Sequence, residues 1–357
     1  MDEQQKLKIA VLGFASNQVA PWDPSTAEKG LPGSEECVVY GTEELASRGH
    51  KVVVYMNPPQ DSPWRVETSN PRWIPESAWC SETEEYDLVL MWRRTDVDTG
   101  RKHGKKVIFW PHDSYYRIQK FPLFDGVFVL SNHHRMQLSQ YEGFTSIPYT
   151  ISGNGILPRQ FETPGVKTNP YSVGYFSNYA RGLEILIAMW PTVRKLFPEA
   201  TLSICYGRET WNLIPQHRLN RLVSKIEEYK SIGVTEHGKV GHSELAEIMK
   251  STSIWSYPCT DSGETFCITA AKCQAAGCIP VTTRIGALNE TVHPEASCVR
   301  LIENVPDAFE YQQLLLDTLS KAPSMTEEDR KKYRDFSMKF VWANCVDKWL
   351  ELYEKIK

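Results

Sequence analysis

Short apolar segments alternate with helical segments along almost the whole chain, and the alternation runs through two successive series. The strand-like segments are apolar throughout, which is typical of strands buried on both faces of a parallel sheet. In the first series they lie at 7–13, 50–55, 86–92, 105–110, 126–131 and 146–151. In the second they lie at 171–176, 200–207, 234–240, 253–258, 278–283 and 297–302. Such alternation predicts βαβ units and parallel sheets.

Two series predict an α/β chain of two Rossmann-like, doubly wound domains. The segment 161–170, FETPGVKTNP, has two prolines and no apolar period, and is typical of a linker. We expect an N-terminal domain at 1–160 and a C-terminal domain at 165–334. The amphipathic, aromatic tail at about 335–357 is expected to form a helix that packs back onto the N-terminal domain. Ligands of open parallel sheets bind beyond the carboxyl ends of the strands, so we expect a site in a cleft between two facing domains.

Composition and charge exclude several classes of protein. The chain has 357 residues and a net charge of −4, which argues against a nucleic-acid binder. We find no apolar segment long enough to span a bilayer and no signal peptide, so we expect a cytoplasmic protein. The nine cysteines are scattered without a C-x-x-C pair, which predicts reduced thiols rather than a zinc site or a disulfide framework.

The segment 262–283, SGETFCITAAKCQAAGCIPVTT, carries an acid and a base near one helix. We predict a helix from Thr265 to Ala276 that ends at Gly277. Backbone N–H groups at its start favour an anion such as a phosphate, and Glu264 beside them can accept hydrogen bonds from sugar hydroxyls. The alternative is that Glu264 only caps the helix and that Lys272 is solvated.

Two further polar positions follow predicted strands. Arg181 and Gly182 begin an apolar helix, and a guanidinium there can bind a diphosphate with two hydrogen bonds. The alternative is a surface arginine. His112 and Asp113 follow a buried strand, where either a functional site or a strand-end turn with a satisfied histidine is expected.

The basic loop 93–106 contains a D-x-D pattern, Asp96 and Asp98, among six lysines and arginines. A solvated turn is expected here rather than a metal site. The same loop could make a peripheral contact with an anionic membrane or bind an anionic substrate. A nicotinamide dehydrogenase is excluded because the first strand is not followed by G-x-G-x-x-G and the second does not end with an acid.

Four segments resemble the family 4, or group 1, glycosyltransferases, which have the GT-B fold of two Rossmann-like domains. The segment 30–55 is similar to that family's glycine-rich loop and first helix, and ISGNGI at 151–156 to its Asn-Gly element. The segment 180–191 is similar to its phosphate-binding Lys/Arg-Gly segment, and 238–292 to its donor-binding half.

The resemblance implies a retaining transfer from a nucleotide-sugar donor to a glycan or glycoconjugate acceptor, without metal or cofactor. Arg181 would bind the diphosphate that Gly33 approaches, Glu264 would contact the donor sugar, and His112 would lie near the sugar and acceptor. The candidate catalytic residues are therefore Glu264, His112 and Arg181. The candidate donor-binding residues are Gly33, Arg181, Lys239, Gly263, Glu264, Thr265, Phe266, Cys267, Ile268 and Lys272.

Two positions depart from the family pattern. Lys272 stands where the family has a second glutamate on the ribose, and a lysine can only donate hydrogen bonds. Gly174 is followed by Tyr175 rather than by a basic residue, so a second diphosphate-binding base is missing or is supplied by Lys239 or Arg208. These departures leave open a binding module of the same fold that holds a nucleotide sugar or glycan without turnover.

Overall fold

The computed structural model describes residues 5–14, 20–208, 213–299, 301, 302 and 305–357. The chain forms two compact units. The first unit comprises Met1–Ala27, Leu31–Gly155 and Phe340–Lys357. The second comprises Glu28–Gly30 and Ile156–Lys339.

In the described part of the first unit, seven parallel strands form one sheet in the order β3-β2-β1-β4-β5-β6-β7. The strands are β1 (Lys8–Leu12), β2 (Lys51–Met56), β3 (Arg72–Pro75), β4 (Tyr86–Trp92), β5 (Gly104–Trp110), β6 (Gly126–Val129) and β7 (Tyr149–Ile151). The helices are α1 (Gly33–Ser47), α2 (Val97–Arg101), α3 (Asn132–Leu138) and, at the other end of the chain, α11 (Trp342–Ile356). Strands such as β1 and β2 are buried along almost their whole length, which explains their continuous apolar sequence.

The aromatic residues of α11 join the core of the first unit. The ring of Trp349 stacks on Phe128 with centroids 4.9 Å apart and meets Trp110 edge-on at 4.7 Å. On α1, Gly41 admits this tryptophan, because a Cβ there would lie 2.8 Å from the indole of Trp349. The chain therefore returns to the first unit after the second unit is complete.

In the described part of the second unit, six parallel strands form a sheet in the order β10-β9-β8-β11-β12-β13. They are β8 (Ser172–Tyr175), β9 (Thr201–Cys205), β10 (Val234–Gly238), β11 (Ile254–Tyr257), β12 (Ile279–Thr283) and β13 (Ser297–Val299). A small antiparallel pair follows, β14 (Leu301–Ile302) and β15 (Val305–Pro306). The helices are α4 (Leu183–Leu196), α5 (Gln216–Tyr229), α6 (His242–Ser251), α7 (Ile268–Ala275), α8 (Leu288–Thr291), α9 (Ala308–Lys321) and α10 (Glu327–Ser337).

The predicted α/β fold with two parallel sheets is confirmed, but some bounds differ. The strand β3 was not predicted, because RWIP is short and ends in a proline. The predicted strand at 297–302 is two strands, and residue 300 lies outside the described residues. The helix predicted from Thr265 begins only at Ile268, because the three residues before it are buried in a non-helical segment.

Candidate functional site

An ion pair between Arg181 and Glu264 lies at the carboxyl edge of the second sheet. Arg181 Nη1 lies 2.7 Å from Glu264 Oε2, and Arg181 Nη2 lies 3.3 Å from Asp261 Oδ2. The hydroxyl of Tyr257, the last residue of β11, also donates to Glu264 Oε2 at 3.2 Å. These residues meet because β8 and β11 are neighbours in the sheet and Arg181 follows β8. Two of the three candidate catalytic residues are thus in contact.

The two partners of this pair differ in exposure. The side chain of Glu264 is 7% exposed, whereas that of Arg181 keeps 32% of its surface accessible. The attraction of Glu264 raises the pKa of Arg181, although partial burial acts in the opposite direction. The arginine therefore stays charged, and its accessible part can contact an anionic ligand.

The loop that carries Arg181 is fixed at several points. The hydroxyl of Tyr175 donates to the carbonyl oxygen of Asn178 at 2.7 Å, and the Asn178 side chain accepts from the N–H of Ala180 at 2.9 Å. Gly182 has φ +104°, and a Cβ there would lie 1.9 Å from the carbonyl oxygen of Pro258. Tyr175, which replaces a basic residue of the family pattern, is fully buried and therefore anchors the loop.

Arg208 is already engaged with two acids. Its Nε donates to Glu236 Oε1 at 3.0 Å, and its Nη2 lies 2.8 Å from Glu227 Oε1. Glu236 also accepts from the hydroxyl of Tyr179 at 2.6 Å, and Tyr179 lies in the same single helical turn as Arg181. Arg208 is thus connected to the Arg181 turn through Glu236 and Tyr179.

Lys239 follows β10 and packs against Gly30, since a Cβ on Gly30 would lie 3.0 Å from Lys239 Cγ. Gly30 belongs to the short segment 28–30 that forms part of the second unit. In the same segment, Glu28 accepts from the hydroxyl of Ser243 at 2.8 Å. Lys239 therefore lies at the carboxyl edge of the second sheet, next to a segment from early in the chain.

The residues before α7 do not have the geometry that we expected. Glu264 lies four positions before the first helical residue, and its backbone oxygen accepts from Ala287 at 2.9 Å. Cys267 is the residue that precedes the helix, so the alternative in which Glu264 only caps it is wrong. Lys272 is 6% exposed, so the alternative of a solvated lysine is also wrong. Among the other donor-binding candidates, the N–H of Gly263 donates to Asp261 Oδ1 at 2.8 Å, and Thr265 and Phe266 are buried.

His112 and Gly33 lie in the first unit. Gly33 is the first residue of α1, and His112 follows β5 with its ring against Trp110 and Trp92, at centroid distances of 5.3 and 6.1 Å. Burial lowers the pKa of His112 well below its ordinary value, and the charge of Arg93 acts in the same direction. The imidazole is therefore neutral at physiological pH.

Most of the basic side chains in the loop 93–106 have acidic partners. Arg94 binds Asp96 and Glu76 and donates to the carbonyl oxygen of Gly13 at 3.1 Å. Further pairs are Arg93 with Asp113, Arg101 with Asp125 and Lys105 with Asp87. Asp96 therefore belongs to an ion pair, and less positive charge is available to a membrane than the sequence indicates. Within the described ranges we find no cluster of three or more His, Cys, Asp or Glu suited to a metal ion.

Sequence reasoning did not select Asp261, Tyr257 or Arg93. Asp261 lies in the polar segment before Glu264, and Tyr257 ends the strand before it, so their position after a parallel strand was the available signal. Arg93 is adjacent to the end of β4, but in the sequence it is only one of several basic residues.

Residues 170–316 match the family model described as glycosyl transferases group 1. This segment is similar to the group 1 glycosyltransferases. Every donor-binding candidate except Gly33 lies within it, and so does the Arg181–Glu264 pair. None of the curated proteins compared with the chain matches it in sequence.

Solved structures match the fold of almost the whole chain, beyond the segment 170–316. Sucrose-phosphate synthase from Thermosynechococcus elongatus matches with a TM-score of 0.76 and 18% identity over 98% of this chain and 99% of that one. A glycosyltransferase from Rickettsia africae matches with a TM-score of 0.69 and 15% identity over 98% of each chain. HepE from Anabaena, solved with UDP and glucose, matches with a TM-score of 0.70 and 13% identity over 98% of this chain and 100% of that one. The predicted resemblance and the GT-B fold are confirmed. Among the described residues, no helix has the length and apolar character needed to cross a bilayer.

Proposed function

We propose that the protein transfers a sugar, a hexose, from a UDP- or GDP-sugar to a hydroxyl group of a glycan, lipid-linked or protein-linked acceptor, with retention. The observation that carries this proposal is the Arg181–Glu264 pair, which lies at the carboxyl edge of a parallel sheet inside the segment that matches the group 1 glycosyltransferases. The accessible guanidinium can bind a diphosphate, and the buried carboxylate 2.7 Å away can bind a sugar.

Arg181 acts on the leaving group in this proposal. As the bond between the sugar and the diphosphate breaks, negative charge develops on the diphosphate, and a fixed guanidinium stabilises it. The Tyr175–Asn178 hydrogen bond and the Gly182–Pro258 contact fix the guanidinium's position before the ligand arrives. No metal ion is required for this neutralisation.

Glu264 acts on the sugar. Its carboxylate can accept hydrogen bonds from sugar hydroxyls and so orient the ring toward the acceptor. We assign the proton of the acceptor hydroxyl to the departing diphosphate, because no residue in the described part of the site is an obvious general base. His112, neutral and next to two tryptophans, would support the sugar or the acceptor.

Two named complexes support a nucleotide-sugar donor. HepE was solved with UDP and glucose, and starch synthase IV from Arabidopsis thaliana, which has a TM-score of 0.67, was solved with ADP and acarbose. We propose a nucleotide-sugar donor and a glycan acceptor here, in a cytoplasmic protein that makes at most a peripheral membrane contact through 93–106.

Lys272 favours a second candidate function, a binding module without turnover. It is buried in α7 at the position where the family has an acceptor of ribose hydrogen bonds. A domain that binds a nucleotide sugar but lacks this contact could hold its ligand without transferring the sugar.

The test begins with a thermal-shift panel of UDP, GDP, ADP and their sugars, since a ligand that binds the native state raises the melting temperature. The donor that gives the largest shift is then incubated with hydroxyl acceptors, and the released nucleoside diphosphate is measured. Release with sugar transfer supports the transferase. Tight binding without product supports the binding module, and the absence of any shift contradicts both.

A further inference from the structure

Arg93 has an unusual backbone conformation at the carboxyl edge of the first sheet. It directly follows β4, has φ +59°, and donates its N–H to the carbonyl oxygen of Trp110 at 3.1 Å. A non-glycine residue in this left-handed region is strained, and a glycine would avoid the strain. The backbone conformation therefore does not explain why this residue is an arginine. The contacts of its side chain must explain it.

The guanidinium of Arg93 binds Asp113 with two hydrogen bonds. Its Nε and Nη2 donate to the two carboxylate oxygens of Asp113, each at 2.7 Å. Both side chains are more than half buried, with 33% and 39% of their surfaces accessible. Only the planar fork of an arginine gives this two-point contact, so the pair fixes the direction of Asp113 as well as its distance.

Asp113 belongs to a turn whose backbone is bound on two further sides. The N–H groups of His112 and Asp113 both donate to the hydroxyl of Tyr116 at 3.1 Å. His134 Nε2 lies 3.1 Å from the carbonyl oxygen of Asp113, and His134 Nδ1 accepts from the N–H of Leu130 at 3.4 Å. This arrangement places the His134 proton on Nε2, which donates to Asp113. These contacts fix the backbone of His112 and Asp113, the two residues that follow one another in this turn.

We propose that Arg93 is a positioning residue that acts through Asp113 to fix the His112 imidazole for the acceptor side of the transfer. The role of His112 in the transfer rests on the proposed function, but the position of its imidazole does not. Arg93 would need no contact with the substrate. Its left-handed conformation places the guanidinium where it can bind both oxygens of Asp113.

The position of His112 can be tested without any substrate. In the full-length protein with isotope-labelled histidine, the His112 imidazole signal is assigned by its loss in His112→Gln. We expect Arg93→Gly and Asp113→Asn to shift this signal, and Arg101→Ala to leave it unchanged. Arg101 is a matched control because it also pairs with an aspartate of the first unit, Asp125, at 3.1 Å.

These variants are chosen so that they fold. Arg93→Gly removes the ion pair but also relieves the backbone strain, and Asp113→Asn keeps the size of the side chain. We expect melting temperatures within about 4 °C of the wild type. An unshifted imidazole signal in both folded variants would overturn the proposal.

Kinetics test the consequence for transfer. We expect kcat to fall roughly tenfold to a hundredfold in Arg93→Gly, with the donor KM within about twofold of the wild-type value, because the group is misplaced rather than removed. Arg93→Lys should recover only part of the loss, and the double variant with Asp113→Asn should lose no more than the worse single one.

An unchanged kcat in a variant with a shifted imidazole signal would overturn the role in transfer. If the wild type transfers no sugar, the proposed function fails, and the imidazole signal alone decides the positioning.

Discussion

Arg181 and Glu264 hold one another at 2.7 Å, and the acid is the more deeply buried of the two. Withdrawing a carboxylate from water is costly unless a partner compensates its charge. A diphosphate that binds Arg181 would compete with Glu264 for the guanidinium. Binding of the donor would therefore release the carboxylate toward the sugar, which links donor capture to the orientation of the ring.

Removing the arginine alone should destabilise the second unit. We expect Arg181→Gln to lower the free energy of unfolding by about 2 kcal/mol, after allowing for the solvent that screens the arginine, because Glu264 stays buried without its cation. Adding Glu264→Gln should restore most of this stability but not nucleotide affinity. Urea unfolding and nucleotide titration of the single and double variants measure the two effects. Equal stability of Arg181→Gln and the wild type would contradict the account.

Neutralising the acid alone should separate binding from transfer. We expect Glu264→Gln to reduce the rate of transfer by about a hundredfold or more, because the sugar loses its charged acceptor of hydrogen bonds. The affinity for the nucleoside diphosphate should hold or rise, since Arg181 no longer has a competing carboxylate. Steady-state rates and calorimetric titration check this, and full activity in a folded Glu264→Gln protein would remove the role assigned to the residue.

The contact between Gly182 and Pro258 should be sensitive to a single methyl group. Gly182→Ala places a Cβ at 1.9 Å from the Pro258 carbonyl oxygen, and we expect a loss of at least about 3 kcal/mol and weaker nucleotide binding. Gly238→Ala is the control, because Gly238 also has a positive φ, +72°, but a Cβ there meets nothing within 4 Å. That variant should lose only about 1 kcal/mol. Similar losses in the two proteins would show that the contact is not tight.

The stability of the first unit should depend on the protonation of His134. Burial lowers the pKa of His134 to about 4, below its ordinary value of 6.5. Between these values the unfolded chain binds the proton and the folded chain does not, so stability falls as the pH drops from about 6.5 to about 4, by about 3 kcal/mol in total. His112 acts in the same direction.

Urea unfolding at several pH values measures this dependence. His134→Gln should flatten the slope in that window, whereas His217→Gln, which removes an exposed histidine on α5, should not. An identical slope in His134→Gln and the wild type would contradict a neutral, buried imidazole.

Chelation of divalent cations should not affect the transfer. Asp96, part of the D-x-D pattern, is bound by Arg94, and a guanidinium rather than a metal ion is expected to neutralise the leaving diphosphate. We expect the same rate with and without EDTA. A loss of activity that magnesium or manganese restores would favour a metal-dependent transferase.

The sequence predicted the fold well, because strands such as β1 and β5 are buried along most of their length and so keep a continuous apolar pattern. It also placed Arg181 and Glu264 after strands, but only the structure shows that these strands, β8 and β11, are neighbours. It did not predict the start of α7, since Thr265, Phe266 and Cys267 suit a buried loop as well as a first helical turn. Nor could it single out Arg93. The importance of this residue lies in its positive φ and in its ion pair with Asp113, which follows the neighbouring strand, and no local sequence pattern encodes either.

The Arg181–Glu264 pair and the sugar transfer can be tested together. The most direct measurement is the release of nucleoside diphosphate and of glycosylated acceptor from the donor chosen by thermal shift, in the wild type and in Glu264→Gln. We expect the wild type to form both products steadily, and the variant to bind the nucleotide with almost no product. Equal rates in the two proteins, or a wild type that binds no activated sugar, would contradict this expectation.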